Sequence, residues 1–231
     1  MQQLPLGVRL ADRAVFESFL PARNAEALAH ARRAADGEAG LTWFCGPSGA
    51  GKTHLLQAIC AAAGRARRTA YLPLGELAGL GAEALGGLAE LDCVALDDLG
   101  AILGRSEWER ALFTLVREFA ERGRPLVLAD ERPPALIGWS LADLGSRCAA
   151  AAVLQLRALD EAEQQQALQL RARLRGLELP EETSRWLQRR FPRDMRLLYE
   201  LLDTLDEAAL AAQRRLTVPF IREVLARCGR A

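Results

Sequence analysis

Residues 46–53 of the chain read Gly46-Pro47-Ser48-Gly49-Ala50-Gly51-Lys52-Thr53 and fit the pattern G-x-x-x-x-G-K-[ST] at every specified position. They follow an apolar run, Leu41 to Cys45, and precede a segment with helical periodicity, His54 to Ala63. The glycines let the backbone curl so that successive N–H groups point inward, and the N-terminus of the following helix adds partial positive charge. The eight residues therefore predict a cradle for phosphate groups, and together with His54 they are candidate nucleotide-binding residues.

Lys52 is the one lysine among thirty basic residues, and all the others are arginine. A compact ammonium on a flexible stem can enter a tight phosphate cradle, whereas a planar guanidinium is too wide. We therefore expect Lys52 to bridge the outer phosphates of a nucleotide. The hydroxyl of Thr53 beside it is expected to ligate Mg²⁺.

A second apolar run, Cys93 to Leu96, ends in two carboxylates, Asp97 and Asp98. In an open parallel sheet such groups emerge at the carboxyl ends of the strands, where ligands collect. An acid pair that follows a phosphate loop in the same chain is the expected partner of a phosphate-bound metal. Asp97 is predicted to hold Mg²⁺ through water, and Asp98 to orient the attacking water.

Short apolar runs alternate with longer helical segments through the first two thirds of the chain, a pattern that indicates a parallel sheet covered by helices. The candidate strands are Leu41 to Cys45, Thr69 to Leu72, Cys93 to Leu96, Leu126 to Ala129 and Val153 to Leu156. After about Leu159 the strand signals stop and only helical patterns remain. The sequence thus predicts an α/β domain followed by a small all-helical domain.

Two helix starts carry the spacing of a capping box, in which an N-cap side chain and an acid three residues later bond to each other's backbone. One pairs Ser106 with Glu109, and the other pairs Asp160 with Glu163. The first helix should bury an apolar stripe and end at Gly123. The stripe consists of Trp108, Leu112, Leu115, Val116 and Phe119.

Composition excludes several classes of protein. The 231 residues carry thirty basic and thirty acidic side chains, so no excess positive field favours strong autonomous binding to nucleic acid. No run of 18 apolar residues occurs, and the start of the chain lacks a secretory signal, so we expect a cytoplasmic protein without membrane contact. The five cysteines contain no C-x-x-C pair, and we expect buried free thiols.

The order of these features resembles the AAA+ ATPases, specifically the initiator clade typified by the bacterial replication initiator DnaA. The resemblance rests on Gly-Lys-Thr-His-Leu-Leu at 51–56, the acid pair with Leu99 after it, Arg132-Pro133-Pro134, and Gly145-Ser146-Arg147. It implies an AAA+ P-loop core whose sheet has the order 5-1-4-3-2, with a helical lid. The implied domains are a flexible N-terminal segment at 1–12, a nucleotide-binding domain at 13–158 and a lid at 159–231.

The same resemblance assigns roles to individual residues. Arg147 matches the family's arginine finger, which reaches a nucleotide held by a neighbouring subunit, and Arg196 matches the lid arginine called sensor 2. Sensor 1 departs from the pattern: the family's acid falls on Glu131, yet Asp130 stands one residue nearer the strand end. Both residues stay candidates.

The extreme N-terminus reads Gln3-Leu4-Pro5-Leu6 and resembles the short peptide that docks on the sliding clamp, the β subunit of DNA polymerase III. In that reading Leu4 and Leu6 fill an apolar pocket and the Gln3 amide forms directional hydrogen bonds. A leucine-rich strand that joins the sheet is the alternative. The chain ends where DnaA would continue into a helix-turn-helix domain, so no sequence-specific DNA binding is expected.

Within the initiator clade, the chain is most similar to the DnaA homologues that inactivate the initiator after replication begins. This similarity implies an AAA+ protein that binds ADP or ATP with Mg²⁺, docks on the DNA-loaded clamp and stimulates hydrolysis of DnaA-bound ATP, while its own ATPase is weak or absent. The implied partners are DnaA and the clamp, and a homodimer stays open. The alternatives are a helicase-loader ATPase like DnaC and a nucleotide-gated adaptor without catalytic effect.

Overall fold

The computed structural model describes residues 14–191, 195–212 and 216–227. Its strands are β1 (Leu41–Cys45), β2 (Thr69–Pro73), β3 (Cys93–Asp97), β4 (Leu126–Asp130) and β5 (Ala152–Gln155). They form one sheet in the order β2-β3-β4-β1-β5, and every pair is parallel. Read from the other edge this is the predicted order, so the fold prediction is confirmed.

Helices cover both faces of the sheet because successive strand residues point to opposite sides. The helices of this part are α1 (Ala25–Ala35), α2 (Lys52–Ala63), α3 (Leu74–Leu77), α4 (Ser106–Glu121) and α5 (Ala142–Ala149). On one face α1 and α2 pack in a core with Phe44 of β1, and on the other face α3, α4 and α5 pack in a core with the neighbouring Trp43. Helices α2 and α5 therefore lie on opposite sides of the sheet.

Helix α4 buries the predicted apolar stripe, and Gly123 just beyond its end has a φ of +61°. The predicted capping box at its start is wrong. The N-cap is Arg105, whose side chain makes no capping bond, and Glu109 instead accepts backbone hydrogen bonds from Gly104 and Leu141. Sequence spacing could not anticipate this because Leu141 lies in a distant loop.

The chain divides into two compact units after Ala158. In the described part of the second unit the helices are α6 (Glu161–Leu174), α7 (Glu181–Arg190), α8 (Met195–Ala212) and α9 (Val218–Arg227). The capping box of α6 is confirmed, since Asp160 and Glu163 each accept the other's backbone N–H, at 2.9 and 2.8 Å. Its described buried interior consists mainly of leucines, together with alanines, Met195, Phe220, Ile221 and Val224.

Four cysteines, Cys45, Cys60, Cys93 and Cys148, are free and buried as predicted, and Cys228 lies outside the described residues. Burial raises the pKa of all four thiols, to about 12 for Cys93 and Cys148. Among the described helices, none has both the length and the apolar character needed to span a membrane.

Candidate functional site

The loop at 46–51 connects β1 to α2 and is held between the ends of two other strands. Gly46 donates its backbone N–H to the carbonyl oxygen of Glu131 at 3.1 Å, directly after β4. Its φ is +148°, and a Cβ at this position would lie 2.4 Å from the carbonyl oxygen of Leu156, directly after β5. Only glycine fits this close approach, so the first glycine of the motif fixes where the loop leaves the sheet.

Lys52 is the first residue of α2, and only 8% of its surface is exposed. Its ammonium donates to the carbonyl oxygens of Gly46 at 2.6 Å and Pro47 at 3.0 Å. Gly51 before it adopts a φ of +98° at the N-cap. The loop therefore wraps around the single lysine ammonium of the chain.

Asp97 is the last residue of β3, and its carboxylate is buried with an exposure of 1%. It accepts hydrogen bonds from the Tyr71 hydroxyl and from the backbone N–H of Asp98, each at 3.0 Å. Burial first, and then the negative charge of Asp97, raise the pKa of Tyr71. The tyrosine thus stays a donor that holds the carboxylate in one orientation.

Asp98 has a φ of +55°, a left-handed conformation in which aspartate is one of the few tolerated residues. Partial burial raises the pKa of its carboxyl, and the charge of Asp97 raises it further, while Lys52 acts in the opposite direction. Asp130 also contributes to this rise. The two predicted acids, Lys52 and the end of β4 therefore share one electrostatic neighbourhood.

The structure places the two sensor 1 candidates differently. Asp130 is the last residue of β4, pairs in register with Cys45, and is 6% exposed. Its carboxylate accepts the backbone N–H of Arg132 at 2.9 Å and lies 3.5 Å from the Nε of the same residue. The side chain of Glu131 is exposed.

The predicted metal ligands offer hard oxygen donors of the kind that Mg²⁺ prefers. Thr53, in the first turn of α2, is exposed, and Asp97 presents a carboxylate. Across the part of the chain that the structure describes, no group of three or more His, Cys, Asp or Glu residues is placed to hold a metal ion.

His54 connects the phosphate loop to the segment before α1. Its Nε2 lies 2.9 Å from the carbonyl oxygen of Val15 and 3.2 Å from the Ser18 hydroxyl. The ring meets that of Phe19 edge to face, with centroids 5.4 Å apart. These contacts of His54, a predicted binding residue, hold residues 15–19 against α2.

Arg147 lies in the last turn of α5 and is exposed. Its guanidinium is centred 5.2 Å from the ring of Phe113 on α4, an arrangement that favours a cation. Because α5 and α2 pack on opposite faces of the sheet, the structure does not bring Arg147 together with Lys52.

Two groups of predicted site residues lie wholly or partly outside the part of the chain that the structure describes. Arg196 lies in the first turn of α8, but its side chain is outside the described part. Gln3, Leu4 and Leu6, the predicted clamp-binding residues, are outside the described residues altogether.

Sequence reasoning missed Tyr71 and assigned Glu109 only to a capping box. Tyr71 faces Ala95 in the register of β2 and β3, so only the pairing of these strands reveals that its hydroxyl reaches Asp97. The sequence marks Glu109 as a charged residue within the apolar stripe of α4, but not what it contacts.

A parallel sheet in this order, with a phosphate loop after β1 and a helical unit after β5, is the fold of AAA+ proteins with a P-loop. Domain III of DnaA from Thermotoga maritima superposes with a TM-score of 0.73 at 22% identity, covering 93% of this chain and 96% of that one. RuvB from Thermotoga maritima gives a TM-score of 0.64 at 16% identity, covering 92% and 71%.

DnaA from Aquifex aeolicus, in a structure with bound AMPPCP, superposes with a TM-score of 0.69 at 22% identity. The match covers 84% of this chain and 65% of that one. Residues 160–225 match the sequence profile of the family described as "Hda, lid domain". The lid match and the DnaA-like fold are together consistent with Hda, a DnaA-homologous AAA+ protein, as the sequence predicts. They support a regulator related to DnaA.

Proposed function

We propose that this protein is a negative regulator of DNA replication initiation. It binds an adenine nucleotide, docks on the DNA-loaded sliding clamp and stimulates hydrolysis of the ATP bound to DnaA. The observation that carries the proposal is the match of residues 160–225 to the Hda lid, in a chain whose phosphate loop is complete.

Nucleotide binding follows from the loop at 46–53. Its backbone N–H groups and the Lys52 ammonium hold the phosphates, and the family resemblance assigns Arg196 the sensor 2 role. Binding of AMPPCP by the Aquifex DnaA supports this assignment. Thr53 and Asp97 would hold Mg²⁺, which neutralises phosphate charge when bound. ADP and ATP share the features that this loop recognises, so either nucleotide serves as the structural ligand.

Residues at the carboxyl ends of β3 and β4 respond to the state of the nucleotide that the chain itself binds. Asp98 orients a water molecule from its position directly after β3, where its backbone is left-handed. Asp130 is the better sensor 1 candidate, because it is buried at the end of β4 within electrostatic reach of Asp98, whereas the side chain of Glu131 is exposed.

Arg147 acts on the partner's nucleotide. Its guanidinium is exposed and lies on the face of the sheet opposite α2, which suits a residue that serves a neighbouring molecule. A delocalised cation stabilises the charge that develops on the transferred phosphoryl group without moving a proton. The N-terminal residues Gln3, Leu4 and Leu6 tether the protein to the clamp, which raises the local concentration of a weak DnaA contact.

A reconstituted reaction with DnaA-bound ATP, clamp and DNA tests this proposal. The wild-type chain should accelerate loss of bound ATP, and Arg147→Ala should lower the rate about 1,000-fold or more, as expected for an arginine finger. Gln3→Ala with Leu4→Ala should lower it only while clamp is present. Fast hydrolysis by the chain alone would favour a helicase loader, and full activity of Arg147→Ala would favour an adaptor.

A further inference from the structure

Glu109 is a charged side chain inside the core of the first unit. Its exposure is 0%, and it lies on the stripe of α4 that packs against the sheet. A buried carboxylate is costly unless hydrogen bonds compensate it, so a protein that keeps one gains something from its placement.

The carboxylate of Glu109 joins two separate segments. One oxygen accepts the backbone N–H of Gly104 at 2.8 Å, directly before α4, and the other accepts the N–H of Leu141 at 2.8 Å. Leu141 is the N-cap of α5, whose own side chain provides no cap. Glu109 therefore fixes the start of the helix that carries Arg147.

The end of α5 is held from the same helix. Phe113 follows Glu109 by four residues and so lies on the same face of α4, and its ring contacts the Arg147 guanidinium. Between these points, Gly145 of α5 approaches Trp139 so closely that a Cβ would lie 2.6 Å from the indole. Cys148 is buried beside these groups, and after burial itself the charge of Glu109 raises its pKa.

We propose that Glu109 is a positioning residue for Arg147: by anchoring the start of α5 while Phe113 holds its end, it fixes the direction in which the guanidinium leaves the surface. The inference rests on the proposed function of Arg147 in hydrolysis of the partner's ATP. Misplacement of a reacting group by about 1 Å can cost about 100-fold in rate. The rate that is gained by fixing Arg147 can therefore offset the cost of burying the Glu109 carboxylate.

Glu109→Gln tests the proposal because it keeps the size of the side chain and replaces one acceptor oxygen with a donor. Glu107→Gln, two residues away on the exposed side of α4, is the matched control. In full-length protein labelled with ¹⁵N-arginine, the Arg147 Hε resonance, identified with Arg147→Lys, should carry an upfield shift from the Phe113 ring. That shift should shrink in Glu109→Gln and persist in Glu107→Gln.

In the reconstituted reaction, Glu109→Gln should lower the maximal rate by about ten-fold, while the concentration for half-maximal rate changes less than about two-fold. Combined with Arg147→Ala it should cause no further loss, because it acts through that residue. An unchanged Hε resonance, or a loss that adds to that of Arg147→Ala, overturns the inference.

Failure of the proposed function has a different signature. If Arg147→Ala retains full activity, the proposed function fails, and the Hε resonance still decides whether Glu109 orients Arg147. If Glu109→Gln does not fold, Phe113→Leu removes the other contact to Arg147 and is expected to give the same loss of maximal rate. A Phe113→Leu protein that keeps the wild-type maximal rate overturns the inference.

Discussion

At the scale of single residues, Lys52 is the side chain on which the proposed phosphate binding depends most. Its ammonium has two carbonyl partners in the loop and is almost fully buried. Lys52→Ala removes charge-assisted hydrogen bonds to phosphate, so we expect a loss of about 3 kcal/mol in ADP and ATP binding, roughly 100-fold. Isothermal titration calorimetry measures this, with Arg65→Ala, an exposed cation shortly after α2, as the control. Unchanged affinity would contradict nucleotide binding by this loop.

Asp98 illustrates a residue whose placement opposes stability. Its pKa is raised by partial burial and by Asp97, so the charged form is disfavoured in the folded chain. Asp98→Asn keeps a residue type that tolerates the left-handed backbone and removes the repulsion. We expect a higher urea midpoint at pH 7 together with lower hydrolysis of the chain's own ATP. Asp98→Val, which cannot adopt this backbone without strain, serves as the contrast and should lower the midpoint.

At the scale of elements, capping residues show where local rules hold. The box at α6 forms because both partners lie within one turn of the helix start. The box at α4 does not form, because the Leu141 N–H is brought to Glu109 by the packing of α5. Sequence spacing alone treats the two starts as equivalent.

The α6 cap gives a prediction for the helical unit. Asp160→Ala removes the acceptor for the Glu163 N–H, which typically costs about 1 kcal/mol. The free energy of unfolding from urea denaturation should fall by that amount, whereas Gln166→Ala, an exposed position on the same helix, should leave it nearly unchanged. Equal effects of the two substitutions would mean that the cap carries no net stability.

At the scale of the whole molecule, the buried thiols predict how stability responds to alkaline pH. The pKa of Cys93 and of Cys148 is raised from 9.0 to about 12 by burial, so above pH 9 the unfolded chain loses protons that the folded chain keeps. Stability from these groups is full below pH 9 and is lost as pH rises toward 12. Each thiol contributes a slope of up to about 1.4 kcal/mol per pH unit.

Urea denaturation between pH 9 and 12 measures this slope. Cys93→Ala and Cys148→Ala should each reduce it, although both lower the stability at pH 7 by removing buried volume. Ser146→Ala, an exposed position on α5, should keep the wild-type slope. A slope that is the same in all four proteins would show that other groups control the alkaline response.

The sequence by itself determined the phosphate loop, the five strands and the acid pair, because each depends on residues that are neighbours along the chain. Strand ends differ by one residue, as at Asp130, since hydrogen-bonded pairing extends β4 past its apolar run. Periodicity likewise predicted that only helices follow the sheet, and the regular elements described after Ala158 are all helices.

Only the tertiary structure decided which distant groups meet. It brought the Tyr71 hydroxyl to Asp97 and the Leu141 N–H to Glu109. It buried the side chain of Asp130 and left that of Glu131 exposed to solvent. It also placed the ring of Phe113 against the guanidinium of Arg147. These contacts join residues on different strands and helices, so they depend on how those elements pack. Local propensity and spacing carry no information about that packing, because these side chains come within contact distance only when the sheet and its covering helices have packed together.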